Sequence, residues 1–174
     1  MIHYWDPNNF TYPQGEVVID PENKEICGRN PERQDFVIGP VSTPAKHWSG
    51  YFCARFDQSF VSWGVARNGS LLEGSTNGSG ATLTGYVRFG PDTRQVDLRI
   101  GVSFISIEQA RKNLEIEIPD GQSLEETAMS TRATWAEKLD RIQIKGATEE
   151  QKEVFYTGFF HTLQVCGSIS ILYI

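Results

Sequence analysis

Apolar residues recur at every second position from Gln95 to Phe104, with Val96, Leu98, Ile100, Val102 and Phe104 in one phase. A period of two sends successive side chains to opposite faces, so this stretch predicts a half-buried β-strand. The same alternation from Tyr51 puts Phe52, Ala54 and Phe56 on one face and Tyr51, Cys53 and Arg55 on the other. Phe60–Ala66 repeats it with Val61, Trp63 and Val65, and Ala81–Phe89 with Leu83, Val87 and Phe89. Pro91 and Asp92 then set a turn, because proline presets φ and aspartate caps the bend. From Asn68 to Gly80 the chain is rich in Gly, Ser and Asn, which predicts a mobile loop. One polar face per strand, with short connections, predicts antiparallel sheets packed face to face. The stretches around Pro7 and Pro13, and from Asn30 to Pro44, read as loops around shorter strands. The expectation is a β-sandwich without its first strands.

Beyond Phe104 the period turns helical as far as about Gln164. Ser106 with Gln109, Ser123 with Glu126, and Thr148 with Gln151 each match the capping box, in which a hydroxyl and a returning Glu or Gln satisfy orphan N–H groups. The first helix is expected to bury Ile107, Ala110 and Leu114 and to stop by Pro119; the second, to bury Leu124, Ala128, Trp135 and Leu139. Arg141–Gly146 predicts a short strand. The third helix carries Phe155, Phe159 and Leu163 on one side and Val154, Tyr156 and Phe160 on others. Apolar residues nearly all round predict a helix enclosed by other helices. Val165–Ile174 is apolar, uncharged and β-prone, and reads as an edge strand or as a point where the reading frame goes astray. The organisation expected is α+β and multidomain: a partial sandwich over 1–105, linker helices and a short strand over 106–147, and the opening of a helical domain over 148–174.

Composition narrows the function. The 174 residues carry a net charge of -6, with 22% charged and 39% hydrophobic residues, as in a soluble globular protein. That charge argues against a nucleic-acid partner, which needs a basic face to neutralise phosphate. No run approaches the roughly 18 apolar residues of a membrane helix. The amino-terminal stretch lacks the basic and apolar regions of a signal peptide. Sequons at Asn9, Asn68 and Asn77 lean towards a secretory route, with the signal sequence upstream. Cys27, Cys53 and Cys166 have no metal-ligand spacing; free thiols and a Cys27–Cys53 disulfide both remain open.

Candidate chemistry is sparse. Glu115 and Glu117 end a helix, while Glu125, Glu126, Glu149 and Glu150 sit in first turns, where the helix dipole favours anions. His3, His47 and His161 have neither triad nor zinc context. The glycine-rich run at Gly74–Gly80 lacks the lysine of a phosphate loop. Trp5, Trp48 and Trp63 are candidates for stacking on a sugar, though Trp63 has the phase of a core residue.

Several separated motifs share one likeness. Val102–Leu114, Glu117, Trp135–Leu139, Ile142–Gly146, Thr148–Gln151 and Phe155–Thr162 are similar, in order and spacing, to glycoside hydrolase family 92, the α-mannosidases. Tyr51–Phe56 fits as well. The resemblance is densest over Gly85–Gln164, where that family joins an N-terminal β-sandwich to a catalytic (α/α)6 barrel. It implies an exo-acting, inverting, calcium-dependent enzyme that cleaves terminal α-mannosides of mannose-containing glycans and is secreted or extracellular. By that resemblance the third helix is the first barrel helix, and Tyr156 and His161 are its candidates near the sugar; Trp48, from the stacking reading above, is the third substrate-binding candidate. No Asp or Glu of this chain matches the family's acid, base or calcium-ligand motifs, so no catalytic or metal residue is assigned, and the chain is expected to be inactive alone. The alternative is a non-catalytic carbohydrate-binding sandwich, which needs an exposed aromatic platform on its sheet.

Overall fold

The structure is a computed structural model that describes residues 14–31 and 49–169, with side chains as far as Gln164. Trp5, Asn9, Trp48, His3 and His47 lie outside the described residues. The chain divides into two compact units between Asp120 and Gly121.

The first unit holds eight strands and one helix: β1 Gly15–Asp20, β2 Glu25–Asn30, β3 Gly50–Phe56, β4 Ser62–Arg67, β5 Ser70–Glu73, β6 Asn77–Gly80, β7 Leu83–Arg88, β8 Leu98–Ser103 and α1 Ile107–Glu117. All pairings are antiparallel. A five-stranded sheet runs in the order β6-β1-β2-β3-β8, and a three-stranded sheet in the order β5-β4-β7. Val17, Ile19, Phe60 and Val65 make the core between them, with Ile26, Phe56, Trp63, Leu83, Val87 and Phe89 packed around. Phe56, Phe60 and Phe89 meet at ring distances of 5.4 to 5.8 Å in edge-on or tilted pairs. Each fully buried side chain of this kind stabilises by about 1.5–3 kcal/mol. The expected sandwich of antiparallel sheets is therefore present, and its phase is right for β3, β4 and β7.

Two expectations for this unit need correction. Asn68–Gly80 is not a loop, because it forms β5 and β6. Asn68 and Gly69 both have positive φ, 48° and 79°, and form the two-residue link between the paired residues Arg67 and Ser70. That turn matches the twist of the flanking strands, so an Asn-Gly pair starts a hairpin even where the next residues are polar. The phase of β8 is also reversed in its consequence. Leu98, Ile100, Val102 and Phe104 are 47 to 75% exposed, whereas Gly101 on the other face is buried. The three-stranded sheet packs over β1 and β6, and among the described residues nothing covers the apolar side of β8.

The opposite face of β3 and β8 is covered by α1. Its Ala110 and Leu114 are buried as the period required. Gly101 makes this possible: a Cβ there would meet the Ala110 carbonyl and would sit 2.7 Å from Leu114 Cβ. The Ser106 hydroxyl accepts from the Gln109 N–H, and the helix stops at Ile118, just before Pro119. α1 thus belongs with the sheets rather than with a linker.

The second unit contains α2, Leu124–Leu139, and α3, Glu149–Ile169. Full capping boxes open both, Ser123 with Glu126 and Thr148 with Gln151. α2 has no buried residue, and Leu124 and Ala128, expected inside, are exposed. Trp135 meets Phe160 of α3 at 4.5 Å between ring centroids. Arg141–Gly146 is not a strand; among the described residues of this unit it has no partner strand, and the Ile142 carbonyl accepts from the Tyr156 hydroxyl instead. Of the tail read as an edge strand or a frame gone astray, Val165–Ile169 continues α3 and 170–174 lie outside the described residues; with no stop signal, each further helical bond costs little once the helix has formed. Val154 and Phe155 are exposed, at 70 and 36%.

Gly101→Ala should push α1 off the sheet and cost about 1–3 kcal/mol, as overpacking does. Urea denaturation of the whole chain measures this; an unchanged midpoint would show that α1 does not rest on β8.

Candidate functional site

The densest polar constellation lies where α1 crosses the five-stranded sheet. Direct register partners Cys27 and Cys53 face α1, and Glu25 lies directly opposite Arg55. Glu25 is 1% exposed, yet both its oxygens are engaged. Arg55 donates to Oε1 from Nε at 2.8 Å and from Nη2 at 2.5 Å, and Arg111 of α1 donates to Oε2 from Nε at 2.9 Å. A buried carboxylate is stable only when paired and hydrogen-bonded in this way. Arg55 also reaches Glu115 at 3.1 Å and Asp120 at 3.3 Å. Arg99 binds Asp120 as well and donates to the Ile118 carbonyl at 2.7 Å, which satisfies a helix C-terminus.

These contacts set the protonation of the cluster. Burial works against the Arg55 charge, but hydrogen bonds to Glu25, Glu115 and Asp120 outweigh it and raise its pKa. The Asp120 carboxyl is held below its usual range, chiefly by its hydrogen bond from Arg99. Neither group can exchange a proton near neutrality. The chemistry available is electrostatic fastening, not acid–base catalysis.

Cys27 and Cys53 are joined by a disulfide, so those two are not free thiols. Both sulfurs lie beside Glu25 Oε2, at 3.7 and 3.6 Å. Glu25, Cys27 and Cys53 are the one group among the described residues compact enough to suggest a metal. Calcium does not fit it: that ion takes six to eight oxygens, whereas this group offers sulfurs bonded to each other and a carboxylate already filled by two guanidiniums.

The candidates expected near a sugar do not converge. Tyr156 donates to the Ile142 carbonyl at 2.9 Å, and exposed His161 lies 3.3 Å from Gln164 Oε1. Five residues apart on a helix, they point in different directions. Trp63 lies in the core with its sandwich neighbours. Of the sequons, Asn68 is exposed at the β4–β5 turn and Asn77 on the edge strand β6. The Glu25 cluster was not anticipated. Its signal was the placing of Arg55 and Cys53 on one face, which alone reads as an ordinary polar surface.

Comparison with known proteins decides the lineage. The N-terminal domain of glycosyl hydrolase family 92 matches residues 2–103, and the catalytic domain of the same family matches residues 109–170. The chain belongs to glycosyl hydrolase family 92. Among solved structures it is similar to the family GH92 inverting mannosidase BT2199 from Bacteroides thetaiotaomicron VPI-5482, with a TM-score of 0.72 and 25% identity over 86% of this chain and 19% of that one. The GH92 family glycosyl hydrolase ccman5 gives a TM-score of 0.68 and 23% identity, over 83% and 19% of the two chains. The GH92 α-mannosidase BT3965 from Bacteroides thetaiotaomicron gives 0.65 and 18%, over 85% and 19%. No curated protein matches. This family 92 chain therefore spans about a fifth of the length of these solved structures. The sandwich and α1 span the join between the two matched domains.

Glu25→Ala should leave two guanidiniums without their buried partner and cost about 3–5 kcal/mol. Lys152→Ala, which breaks the exposed Lys152–Glu149 pair, should leave the melting temperature essentially unchanged. Equal losses in thermal melts would refute the fastening role. Because the Asp120 pKa is depressed on folding, its contribution is full above the ordinary value of 3.8 and fades as pH falls through the folded value. Asp120→Asn should thus flatten the loss of stability below about pH 4, read from melts at stepped pH.

Proposed function

We propose that this chain supplies the sandwich and the opening of the barrel of an α-mannosidase-like glycoside hydrolase acting on terminal α-linked mannose of glycans. The observation that carries this reading is the succession of the two family 92 domains across α1, with the sandwich already built on one side. Solved relatives include an inverting mannosidase and a BT3965 complex with mannoimidazole. In inversion, one carboxylic acid protonates the leaving oxygen and a second carboxylate activates water on the opposite face.

Within this chain the carboxylates fastened by arginines serve another purpose. Glu25, Glu115 and Asp120 are all engaged by arginines, which fixes them in place. The catalytic pair and the calcium ligands are assigned to the remainder of the enzyme, and the chain by itself is inactive. Tyr156 and His161 are retained as substrate-side candidates on α3, and Trp48, outside the described residues, as a third. Glycosylation at Asn9, Asn68 and Asn77 belongs to the secreted or extracellular setting of the whole enzyme.

The purified chain should release no mannose from an α-linked mannobiose. Joined to a family 92 catalytic barrel, it should release mannose first as the β-anomer, and EGTA should abolish the reaction. Proton NMR of the early product reads the anomer. Release by the chain alone, an α-anomer, or indifference to EGTA would each contradict the corresponding part of this reading.

A further inference from the structure

The outer face of the three-stranded sheet carries side chains that the core does not use. Register sets Glu73, Gly64 and Tyr86 in one row across β5, β4 and β7, with Ser62 beside Arg88 in the next. Trp63, Val65, Leu83 and Val87, in the other phase, pack into the core, so these rows face outwards. Glu73, Thr84 and Arg88 are exposed. Gly64 is buried on this outward face, because the Tyr86 ring lies over it: a Cβ at 64 would sit 2.8 Å from both Cε1 and Oη of Tyr86. The missing side chain lets the ring lie down across the sheet. The Arg88 guanidinium carbon lies over this ring, 5.7 Å from its centroid, and must draw aside for a ligand to rest on that face. No side-chain hydrogen bond ties the Tyr86 hydroxyl, the Glu73 carboxylate or the Arg88 guanidinium to another described residue.

We propose that this face binds a pyranose ring of a mannose-containing glycan, with Tyr86 beneath its C–H face and with Arg88, drawn aside from the ring, and Glu73 bonding its hydroxyls. Polarised C–H groups of a sugar meet the negative face of an aromatic ring favourably. A guanidinium donates to two neighbouring hydroxyls at once, and a carboxylate accepts from others. Two strand spacings of about 4.8 Å separate Glu73 from Tyr86, a span that a hexose lying over Gly64 bridges. The choice of mannose rests on the enzymatic reading above; the platform itself rests on the sheet. It carries no chemistry and would hold glycan chains near the enzyme.

Titration of the isotope-labelled 174-residue chain with α-linked mannobiose, followed by NMR, tests this. Saturable shifts confined to β4, β5 and β7 are expected, with a Kd on the order of 1 mM for so open a site. Tyr86→Ala should weaken binding by about tenfold or more, and Tyr86→Phe by no more than about threefold, since the ring remains. Should Tyr86→Ala disturb the sheet, the exposed double variant Glu73→Gln with Arg88→Ala should show the same tenfold order of loss on an unchanged fold. No saturable shift, or unchanged affinity in either variant, would overturn the platform, and so would cellobiose binding equally well. Hydrolysis by the joined enzyme without binding at Tyr86 would sink the platform alone. Binding at Tyr86 without hydrolysis would sink the enzymatic reading alone.

Discussion

A buried carboxylate held between two guanidiniums fixes how the first unit is layered. Glu25 comes from β2, Arg55 from β3 and Arg111 from α1. The pair of charges on the sheet cannot be left uncovered or unpaired at low cost, so the helix that brings the third charge must sit over them. Arg55 and Arg99 extend the contact to Glu115 and Asp120 at the far end of α1. The junction between the two family 92 domains is thereby tied to the sandwich by ionic contacts, and Ala110 and Leu114 pack beneath them against Gly101.

The two faces of the large sheet are set by that fastening. One face is polar and roofed by α1, with the Cys27–Cys53 bridge inside the contact. The other is apolar, roofed by the three-stranded sheet only over β1 and β6. Leu98, Ile100 and Val102 are left exposed beside it among the described residues. The second unit is similar in kind: α2 and α3 are well capped and meet through Trp135 and Phe160, yet most of their apolar surface is open. Capping and local helical bonds define such helices, while burial, the larger source of helix stability, is incomplete within the unit.

For function, the contrast between the fastening cluster and the outer face of the small sheet is instructive. Charges in the first are consumed by one another, so they position an element and do no chemistry. Tyr86 and Arg88, which meet only each other as cation and ring, and Glu73 stand on the outward face without a side-chain hydrogen bond to another described residue. The two surfaces thus differ in kind: one spends its charges on holding parts of the fold together, and the other turns its side chains outward.

The strands of alternating pattern, the three helix starts and the family likeness were all legible along the chain, because period and capping are local properties. Asn68-Gly69 was legible too, as a hairpin turn, but the polarity around it pointed to a loop. The linear pattern of Gln95–Phe104 found the strand and marked its apolar side as the buried one. Which side is covered depends on what lies across from it, and α1 lies across from Gly101. The pairing of Glu25 with Arg55 and Arg111, 30 and 86 residues away, was invisible for the same reason. The amino-acid sequence by itself determined where strands and helices begin, since backbone preference and hydrophobic period act over a few residues. Only the tertiary structure decided which faces meet and which charges are buried, since those depend on groups brought together from distant parts of the chain.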